Sequence, residues 1–332
     1  MFMKRWVAVA MLAVTGGVAA GHAHAKPVSV VTSFSILGDL VSQVGGDDVT
    51  VHALVGADQD AHVFQPRPSD AAQVSRAQLV IVNGLGFEGW MTRLIESADY
   101  RGPVRVASEG MPHPLKGCGH DHDHDDHGHD HDHGPEVEEG AKDKAASDKR
   151  LDDVSSTDPH AWQNPLNVVS YVRNIAQALA EVDPANAENY DRRAEAYVSG
   201  LQELDQWIDQ QMQAVPAGKR TVITSHEAMR YFGERYGVRF LAPQGVSTAS
   251  EPGAREVARL VRQVRDENVT ALFLESITNA ALLQQIAAEA KVTVGGRLYS
   301  DALSGPKGPA PDYLSMMRHN VTNLKAAMQG VE

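Results

Sequence analysis

Short runs of β-branched and aliphatic residues alternate along most of the chain with stretches whose apolar residues recur every three or four positions. The runs are typical of buried strands, and the stretches are typical of amphipathic helices. In the first half of the chain the patterns predict strands at 28–34, 49–55, 78–83 and 104–107, and helices between them at 36–44, 68–77 and 88–97. In the second half they predict a similar series, with strands at 221–225, 238–241, 271–275 and 292–294 and helices at 226–236, 254–266 and 279–290. Strands that alternate with helices form mostly parallel sheets, so we expect two similar α/β lobes.

One much longer helical pattern separates the two series. Asp183-Pro184 is typical of a helix start, because aspartate caps the first turn and proline suits the first helical position. Apolar residues then recur at spacings of three and four as far as Val215. The pattern predicts a helix of about 45 Å at 1.5 Å per residue. We interpret it as a rigid connector between the lobes, with a surface helix of one lobe as the alternative.

Length and composition agree with this division. A chain of 332 residues exceeds the size at which one hydrophobic core is efficient, and 42% apolar with 22% charged residues is typical of a folded protein. We expect an N-terminal lobe at 26–183, a linking helix at 184–215 and a C-terminal lobe at 216–332.

The first 25 residues have the pattern of a secretory signal peptide. Lys4 and Arg5 precede an apolar stretch at 6–20, and the small residues of Ala23-His24-Ala25 suit a cleavage site. The stretch is shorter than the roughly 20 residues that span a bilayer. No cysteine follows it at the cleavage point. We therefore expect removal of residues 1–25 and a mature protein that is free in a bacterial periplasm, without a lipid anchor.

Charge excludes one class of partner and marks one segment. The formal net charge of −13 argues against nucleic acid, because phosphate binding needs a supply of lysine and arginine. Most of the acidity lies at 120–153, which has 13 Asp and Glu residues against 4 Lys and Arg residues. The surrounding segment at about 114–157 has no helical or strand periodicity. It is predicted to be a disordered loop of the N-terminal lobe.

Seven of the 15 histidines of the chain lie in this segment and alternate with aspartates. Imidazoles and carboxylates on a flexible backbone can close around a borderline ion such as Zn²⁺ in many combinations. We interpret the tract as an accessory, low-affinity metal site; the alternative is a solvated insert without a role. Its histidines are His120, His122, His124, His127, His129, His131 and His133.

A specific site is expected where the strands end, because ligands of open α/β sheets bind beyond the carboxyl ends of the strands. Four candidate metal ligands lie there: His62, His160, His226 and Asp301. His226 also opens a predicted helix, whose dipole favours the neutral imidazole that a metal requires. Taken alone, a loop histidine is more often hydrogen-bonded or solvated than bound to a metal, and the wide spacing of the four candidates forms no local zinc motif. The three other histidines outside the tract and the signal peptide, His52, His113 and His319, are interpreted as surface or loop residues.

Several longer motifs surround these candidates. They are Ala57-Asp-Gln-Asp-Ala-His-Val-Phe-Gln-Pro66, Asp158-Pro-His-Ala-Trp162, Thr224-Ser-His-Glu-Ala-Met-Arg-Tyr-Phe232, Leu298-Tyr-Ser-Asp-Ala-Leu303 and Tyr313-Leu-Ser-Met-Met-Arg-His-Asn320. With them, essentially the whole mature chain resembles the periplasmic metal-binding proteins of zinc and manganese ABC importers, the cluster A-I or cluster 9 solute-binding proteins. The stretches at 83–90, 244–248 and 301–306 are most similar to the zinc-specific AztC/ZnuA-type branch.

The resemblance implies two pseudo-symmetric, Rossmann-like lobes joined by one backbone helix, with a metal between them. It assigns His62 and His160 as ligands from the first lobe, and His226 and Asp301 as ligands from the second. In manganese-type relatives a glutamate commonly replaces the third histidine, whereas three nitrogens and one carboxylate suit tetrahedral Zn²⁺. Glu227, beside the third histidine, departs from the pattern of many relatives.

The sequence therefore predicts a high-affinity zinc-binding protein that delivers Zn²⁺ to an ABC permease of the inner membrane. It is expected to be a monomer and not an enzyme, and a periplasmic metallochaperone is a further candidate partner. The alternative is a manganese or iron component of an importer. A secreted zinc hydrolase is disfavoured, because His226-Glu-Ala-Met-Arg230 has arginine where the second histidine of a zinc-protease motif belongs.

Overall fold

The computed structural model describes residues 26–117, 157–267, 269, 271–278 and 280–330. The described residues contain two four-stranded sheets, in which all strand pairs are parallel. The first has the order β2-β1-β3-β4 and the second the order β6-β5-β7-β8. The strands are Val28–Phe34 (β1), Val49–Val55 (β2), Leu79–Val82 (β3), Val104–Val106 (β4), Thr221–Ile223 (β5), Arg239–Leu241 (β6), Ala271–Glu275 (β7) and Thr293–Leu298 (β8). Because the two orders are equivalent, the predicted pair of similar α/β lobes is confirmed.

Helices cover the sheets and connect their strands. They are Ser35–Gly45 (α1), Pro68–Val74 (α2), Met91–Ser97 (α3), Pro165–Val182 (α4), Ala187–Gln213 (α5), Arg230–Tyr236 (α6), Ala254–Asp266 (α7), Ala280–Ala290 (α8) and Tyr313–Gln329 (α9). Short 3₁₀ turns occur at Gly46–Asp48, Ala161–Gln163, Pro184–Asn186 and Ala217–Lys219. Within the described ranges, no helix combines the length and the hydropathy needed to cross a bilayer.

The long helix between the two halves is α5, with 27 residues. It begins after the 3₁₀ turn at Pro184–Asn186, and Asp183 accepts hydrogen bonds from the side chains of Asn186 and Tyr190. Its apolar face is buried against α1 and α4 of the first half and against α6 and α9 of the second. One stiff helix therefore contacts elements of both lobes.

Helix α4 is an element that the sequence patterns did not predict. Asn164 caps it by accepting the backbone N–H of Leu166, and Pro165 occupies its first position. Its buried face packs on α5, so the linking helix is half of a helix pair. The main hydrophobic core runs from the first sheet through this pair to α9. A separate, smaller core joins the second sheet to α7 and α8.

Two boundaries differ from the prediction and change the site. The helix predicted at 226–236 begins only at Arg230, because the backbone at His226 forms a parallel bridge to Gln244. The strand predicted at 292–294 continues to Leu298, which pairs with Glu275 of β7. The second difference places the start of the loop with Asp301 at the carboxyl edge of the sheet.

Candidate metal centre

The four predicted ligands meet at the carboxyl ends of the two sheets. One nitrogen each of His62, His160 and His226 and one carboxylate oxygen of Asp301 all lie within 4.8 Å of one another. The Asp301 Oδ2 atom is 2.9 Å from Nε2 of His226 and 3.2 Å from Nε2 of His62. The Nε2 atoms of His62 and His160 are 3.3 Å apart. A single cation between the four groups can contact all of them.

The cluster is shielded from solvent. The side chains of His160, His226 and Asp301 are completely buried, and that of His62 is 4% exposed. The ring of Phe87 meets the His62 ring edge to face, with 4.8 Å between the ring centroids. Apolar walls lower the local dielectric, which strengthens the attraction between a cation and its ligands.

A buried carboxylate orients the ring of His160. The Asp158 Oδ1 atom accepts the backbone N–H of His160 at 3.0 Å and lies 2.8 Å from its Nδ1. With a proton on Nδ1 donated to Asp158, the Nε2 atom presents its lone pair to the centre. The Oδ2 atom of Asp158 lies 3.7 Å from the guanidinium of Arg230, across the boundary between the lobes.

A second buried carboxylate, that of Glu275, orients His226. Its Oε2 atom lies 2.7 Å from Nδ1 of His226 and accepts the Ser300 hydroxyl at 2.6 Å. Its Oε1 atom accepts the backbone N–H groups of Ser225 at 2.6 Å and His226 at 3.1 Å. Three hydrogen-bond donors and the Nδ1 atom of His226 therefore surround one carboxylate.

The role of Glu275 was missed from the sequence, and the helix dipole invoked for His226 was wrong because α6 begins at Arg230. One signal was available. Glu275 is a carboxylate at the end of an otherwise apolar strand, Ala271–Glu275, at the sheet edge where ligands gather.

The charges in the cluster are strongly coupled. Burial by itself lowers the pKa of His226, but the charges of Glu275 and Asp301 outweigh burial and raise it well above the usual value. Burial raises the pKa of Asp301 and that of Glu275, but His226 lowers both, and the pKa of Asp301 lies well below its usual range. Without a metal, a protonated His226 therefore lies between two carboxylates.

The environment of His62 has the opposite effect. Burial lowers the pKa of His62, and this outweighs its hydrogen bond to Asp301. The loop around it is fixed through the backbone: the His62 N–H donates to Oδ1 of Asp60 at 2.9 Å, and the Trp90 indole N–H donates to the carbonyl of Ala61 at 2.8 Å. His62 is therefore a candidate ligand whose neutral form is favoured by burial and whose position depends on a loop.

Polar contacts across the lobe boundary hold the second half of the site. The side chains of Trp162 and Gln163 both donate to the carbonyl of Ser300, at 2.8 and 2.7 Å. The Tyr313 hydroxyl donates to the carbonyl of Trp162 at 2.7 Å. The residue before Asp301 is thus bound to the segment that follows His160.

The remaining candidates lie elsewhere. His52 is exposed on β2, His113 is exposed in a loop, and His319 is on α9 with its Nε2 atom 3.0 Å from the carbonyl of Arg297. The signal peptide and the histidine tract at 120–133 lie outside the described residues.

The donor set is chemically specific. Three imidazole nitrogens and one carboxylate are ligands of borderline divalent ions such as Zn²⁺. Neither Oδ atom of Asp301 has a hydrogen-bond donor other than the histidines among the described residues, so both oxygens are free to face a cation. The arrangement is suited to binding one divalent cation.

Known proteins are similar to this chain in sequence. A family model described as zinc-uptake complex component A, periplasmic (ZnuA) matches residues 30–327. The manganese-binding lipoprotein MntA of Halalkalibacterium halodurans is 32% identical over 303 residues, which cover 91% of this chain and 88% of that protein. The iron-binding protein YfeA of Yersinia pestis is 29% identical over 301 residues, covering 90% and 86%.

A solved structure has the same fold. The periplasmic zinc-binding protein TroA from Treponema pallidum matches with a TM-score of 0.77 over 91% of this chain and 99% of that chain, at 24% identity. The two-lobe α/β fold is therefore shared with it. Since the family model spans nearly the whole described chain and MntA is similar over most of its length, this protein belongs to the ZnuA family of metal-binding components of ABC importers.

Proposed function

We propose that this protein captures one Zn²⁺ in the periplasm through His62, His160, His226 and Asp301 and delivers it to an ABC permease. The observation that carries the proposal is the convergence of the four ligand atoms within 4.8 Å. Two of the three imidazoles are oriented by buried carboxylates, as is usual for histidines that bind metals. Three nitrogens and one carboxylate suit tetrahedral Zn²⁺ better than they suit Mn²⁺, which prefers more oxygen ligands.

Manganese or iron is the second candidate, and the relatives support it. MntA is named for manganese and YfeA for iron. The site can also add an oxygen ligand, because Oδ1 of Asp301 is buried without a hydrogen-bond donor among the described residues. With both Asp301 oxygens bound, the cation would have five protein ligand atoms, which is closer to the preference of Mn²⁺.

Capture and release follow from the division of the ligands. His62 and His160 belong to the first half of the chain, and His226 and Asp301 belong to the second. A small separation of the lobes would remove two ligands together and weaken binding. Binding also exchanges charge, because the cation takes the place of the proton on His226 between Glu275 and Asp301.

Metal content and competition titrations test the function. The mature protein, purified without added metal, is analysed for bound metal, and Zn²⁺, Mn²⁺ and Fe²⁺ are then titrated into the metal-free form. We expect one tight site with the highest affinity for Zn²⁺; tighter binding of Mn²⁺ or Fe²⁺ would establish the second candidate. Alanine variants of the four ligands should each lose tight binding, whereas His319→Ala should not. Wild-type affinity in two of the four ligand variants would refute the site.

Export is a separate proposal. We infer that residues 1–25 are cleaved and that the mature protein is a soluble monomer, although MntA is named a lipoprotein. The single cysteine of the chain, Cys118, is far from the apolar stretch, which supports a mature protein without a lipid. Intact-mass measurement of the protein from the periplasm should give an unmodified chain that begins near Lys26. A lipid-modified mass would contradict this.

The histidine tract is proposed to supply weaker accessory sites. Deletion of residues 117–137 should lower the number of metal ions bound and preserve one tight site, because the four ligands lie outside the deleted segment. If the tight site were lost with the deletion, the tract would belong to it.

A further inference from the structure

The loop that carries His62, residues 56–62, is bound to the opposite lobe. The Asp58 N–H donates to the carbonyl of Leu303 at 2.9 Å. The Gly305 N–H donates to Oδ2 of Asp58 at 3.4 Å. The loop belongs to the first lobe by sequence, but its hydrogen bonds extend to the segment that follows Asp301.

One contact connects the other side of the cleft to the ligand itself. The Thr248 hydroxyl, on the loop after β6, donates to Oδ2 of Asp60 at 2.6 Å. The other oxygen of the same carboxylate, Oδ1, accepts the backbone N–H of His62 at 2.9 Å. Asp60 therefore bridges the second lobe to the backbone of a ligand, and both hydrogen bonds are to a charged acceptor.

The position of His62 depends on this bridge, whereas the positions of the other two histidines depend on carboxylates that contact their rings. The rings of His160 and His226 are oriented by Asp158 and Glu275. Within the described chain, the only carboxylate that contacts the His62 ring is Asp301, which is itself a proposed ligand. The position of His62 is thus set by its backbone, and the backbone is held across the cleft.

A polar cavity lies beside the bridge. It has a volume of about 440 Å³, and its walls include Asp60, Thr248, Gln244, Ser225 and Thr278. Ser225 directly precedes His226, and Asp60 is two positions from His62, so two residues close in sequence to candidate ligands line the cavity. Movement of the Thr248 loop away from Asp60 would remove the contact of this side of the cleft with the residue that binds the His62 backbone.

We propose that Asp60 and Thr248 form a latch between the lobes that sets the dissociation rate of the metal by holding His62 on it. This inference rests on the metal site proposed above. When the latch opens, His62 leaves first and the cation departs toward the polar cavity. Asp60 and Thr248 act as positioning residues, because neither is a member of the ligand cluster.

Thr248→Val tests the latch, because valine keeps the shape of threonine and removes the hydroxyl. The zinc-loaded variant is mixed with excess EDTA, and the dissociation rate constant is measured by stopped flow. We expect an increase of about tenfold, the size expected for loss of one hydrogen bond to a charged acceptor. The association rate constant should change by less than about twofold, because the bridge stabilises the bound state.

Two matched variants separate the latch from general loosening of the loop. Thr248→Ser restores a hydroxyl and should return dissociation to the wild-type rate. Ser247→Ala removes a neighbouring hydroxyl whose hydrogen bond, from the Ala249 N–H, stays within the loop, and it should leave the rate unchanged. In Asp60→Ala, the further change Thr248→Val should have no additional effect, because its partner is already absent.

The outcomes distinguish this inference from the function on which it rests. If the wild-type protein binds no metal, the proposed site and the latch both fail. If it binds metal and Thr248→Val dissociates at the wild-type rate, or no faster than Ser247→Ala, the latch is refuted and the function stands. Faster dissociation in Thr248→Val that serine restores establishes the latch.

Discussion

His62 and His226 direct equivalent atoms at the same Asp301 oxygen, at 3.2 and 2.9 Å, but they are held in different ways. His226 is fixed through its ring by Glu275, which also accepts hydrogen bonds from the backbone of Ser225 and His226 and from the Ser300 hydroxyl. His62 lies on a loop and is fixed through its backbone by Asp60. The first proposed ligand is part of a polar network within its own lobe, and the second is held by a loop that is hydrogen-bonded across the cleft.

The same contrast appears in charge. The pKa of His226 is raised well above its usual value by two carboxylates, and the pKa of His62 is lowered by burial. In the metal-free protein His226 is therefore protonated and neutralises buried negative charge, whereas His62 is neutral. A metal bound at the proposed site would therefore replace a proton on His226 but none on His62. On the His226 side, the centre is thus set by the charges of two carboxylates. On the His62 side, it is set by the hydrogen bonds of a loop.

The largest expected effect that separates the two ligands is on the stability of the metal-free protein. His226→Ala removes the protonated imidazole between Glu275 and Asp301. The buried carboxylates are then uncompensated, which lowers the free energy of unfolding by about 3–5 kcal/mol. His62→Ala removes a neutral ring and should cost roughly 1 kcal/mol, as an average substitution does. Urea unfolding in EDTA at pH 7 measures both. Equal losses in the two variants would show that His226 carries no proton there.

A smaller effect is expected from the carboxylates behind the rings. In Glu275→Gln, an NH₂ group replaces one of two oxygens that both accept hydrogen bonds. Because this group cannot accept, the orientation of the His226 ring is weakened and metal affinity should fall about 10- to 100-fold. Asp158→Asn is the matched control, because both hydrogen bonds there converge on Oδ1, whereas Oδ2 accepts no hydrogen bond within the described chain and has only the ion-pair contact with Arg230 at 3.7 Å. Calorimetric titration should show a smaller loss for Asp158→Asn. A larger loss of affinity in Asp158→Asn than in Glu275→Gln would contradict this explanation, which rests on how many carboxylate oxygens accept hydrogen bonds.

The pH dependence of metal binding should also reveal the protonation of His226. Because its pKa is raised, His226 is protonated at neutral pH, and binding should release about one proton, so that affinity rises about tenfold per pH unit until the pKa is passed. The same raised pKa stabilises the metal-free protein fully below the ordinary histidine value, and this stabilisation is lost as the pH rises through the folded-state pKa. Titrations at pH 7 in buffers of different ionisation enthalpy count the protons. Release should persist in His62→Ala, and its absence in the wild type would exclude a protonated His226.

The smallest effect concerns the support of the His62 ring. Phe87→Leu removes an edge-to-face contact worth about 0.5–1.5 kcal/mol, so the affinity for metal should fall by about 2- to 12-fold. The other ring contacts of Phe87 among the described residues are with Phe34, His160 and Trp162, so proton release from His226 at pH 7 should be unchanged. Calorimetry of this variant gives both values. A change in proton release would mean that the two sides of the centre are not independent.

Much of the architecture was predictable because it rests on local pattern. The strands of both sheets, the helix at Ala254–Asp266 and the long helix α5 appear where hydrophobic periodicity placed them. One error lies where tertiary contacts override local preference. Residues 226–229 are not helical, because Glu275 and Gly245 accept the N–H groups of His226 and Glu227. Helix α4 was overlooked, although Asn164-Pro165 is a start signal of the same kind as Asp183-Pro184.

By itself, the sequence determined which residue types stand at the strand ends, since strand, loop and cap are set by neighbours a few positions apart. It placed three histidines and an aspartate there, and the resemblance grouped them. Only the tertiary structure decided which groups touch, because the order of strands in a sheet is not encoded in local periodicity. Glu275 contacts His226 from 49 positions away, and Thr248 contacts Asp60 from 188 positions away. Protonation and closure of the centre are therefore properties of the folded chain.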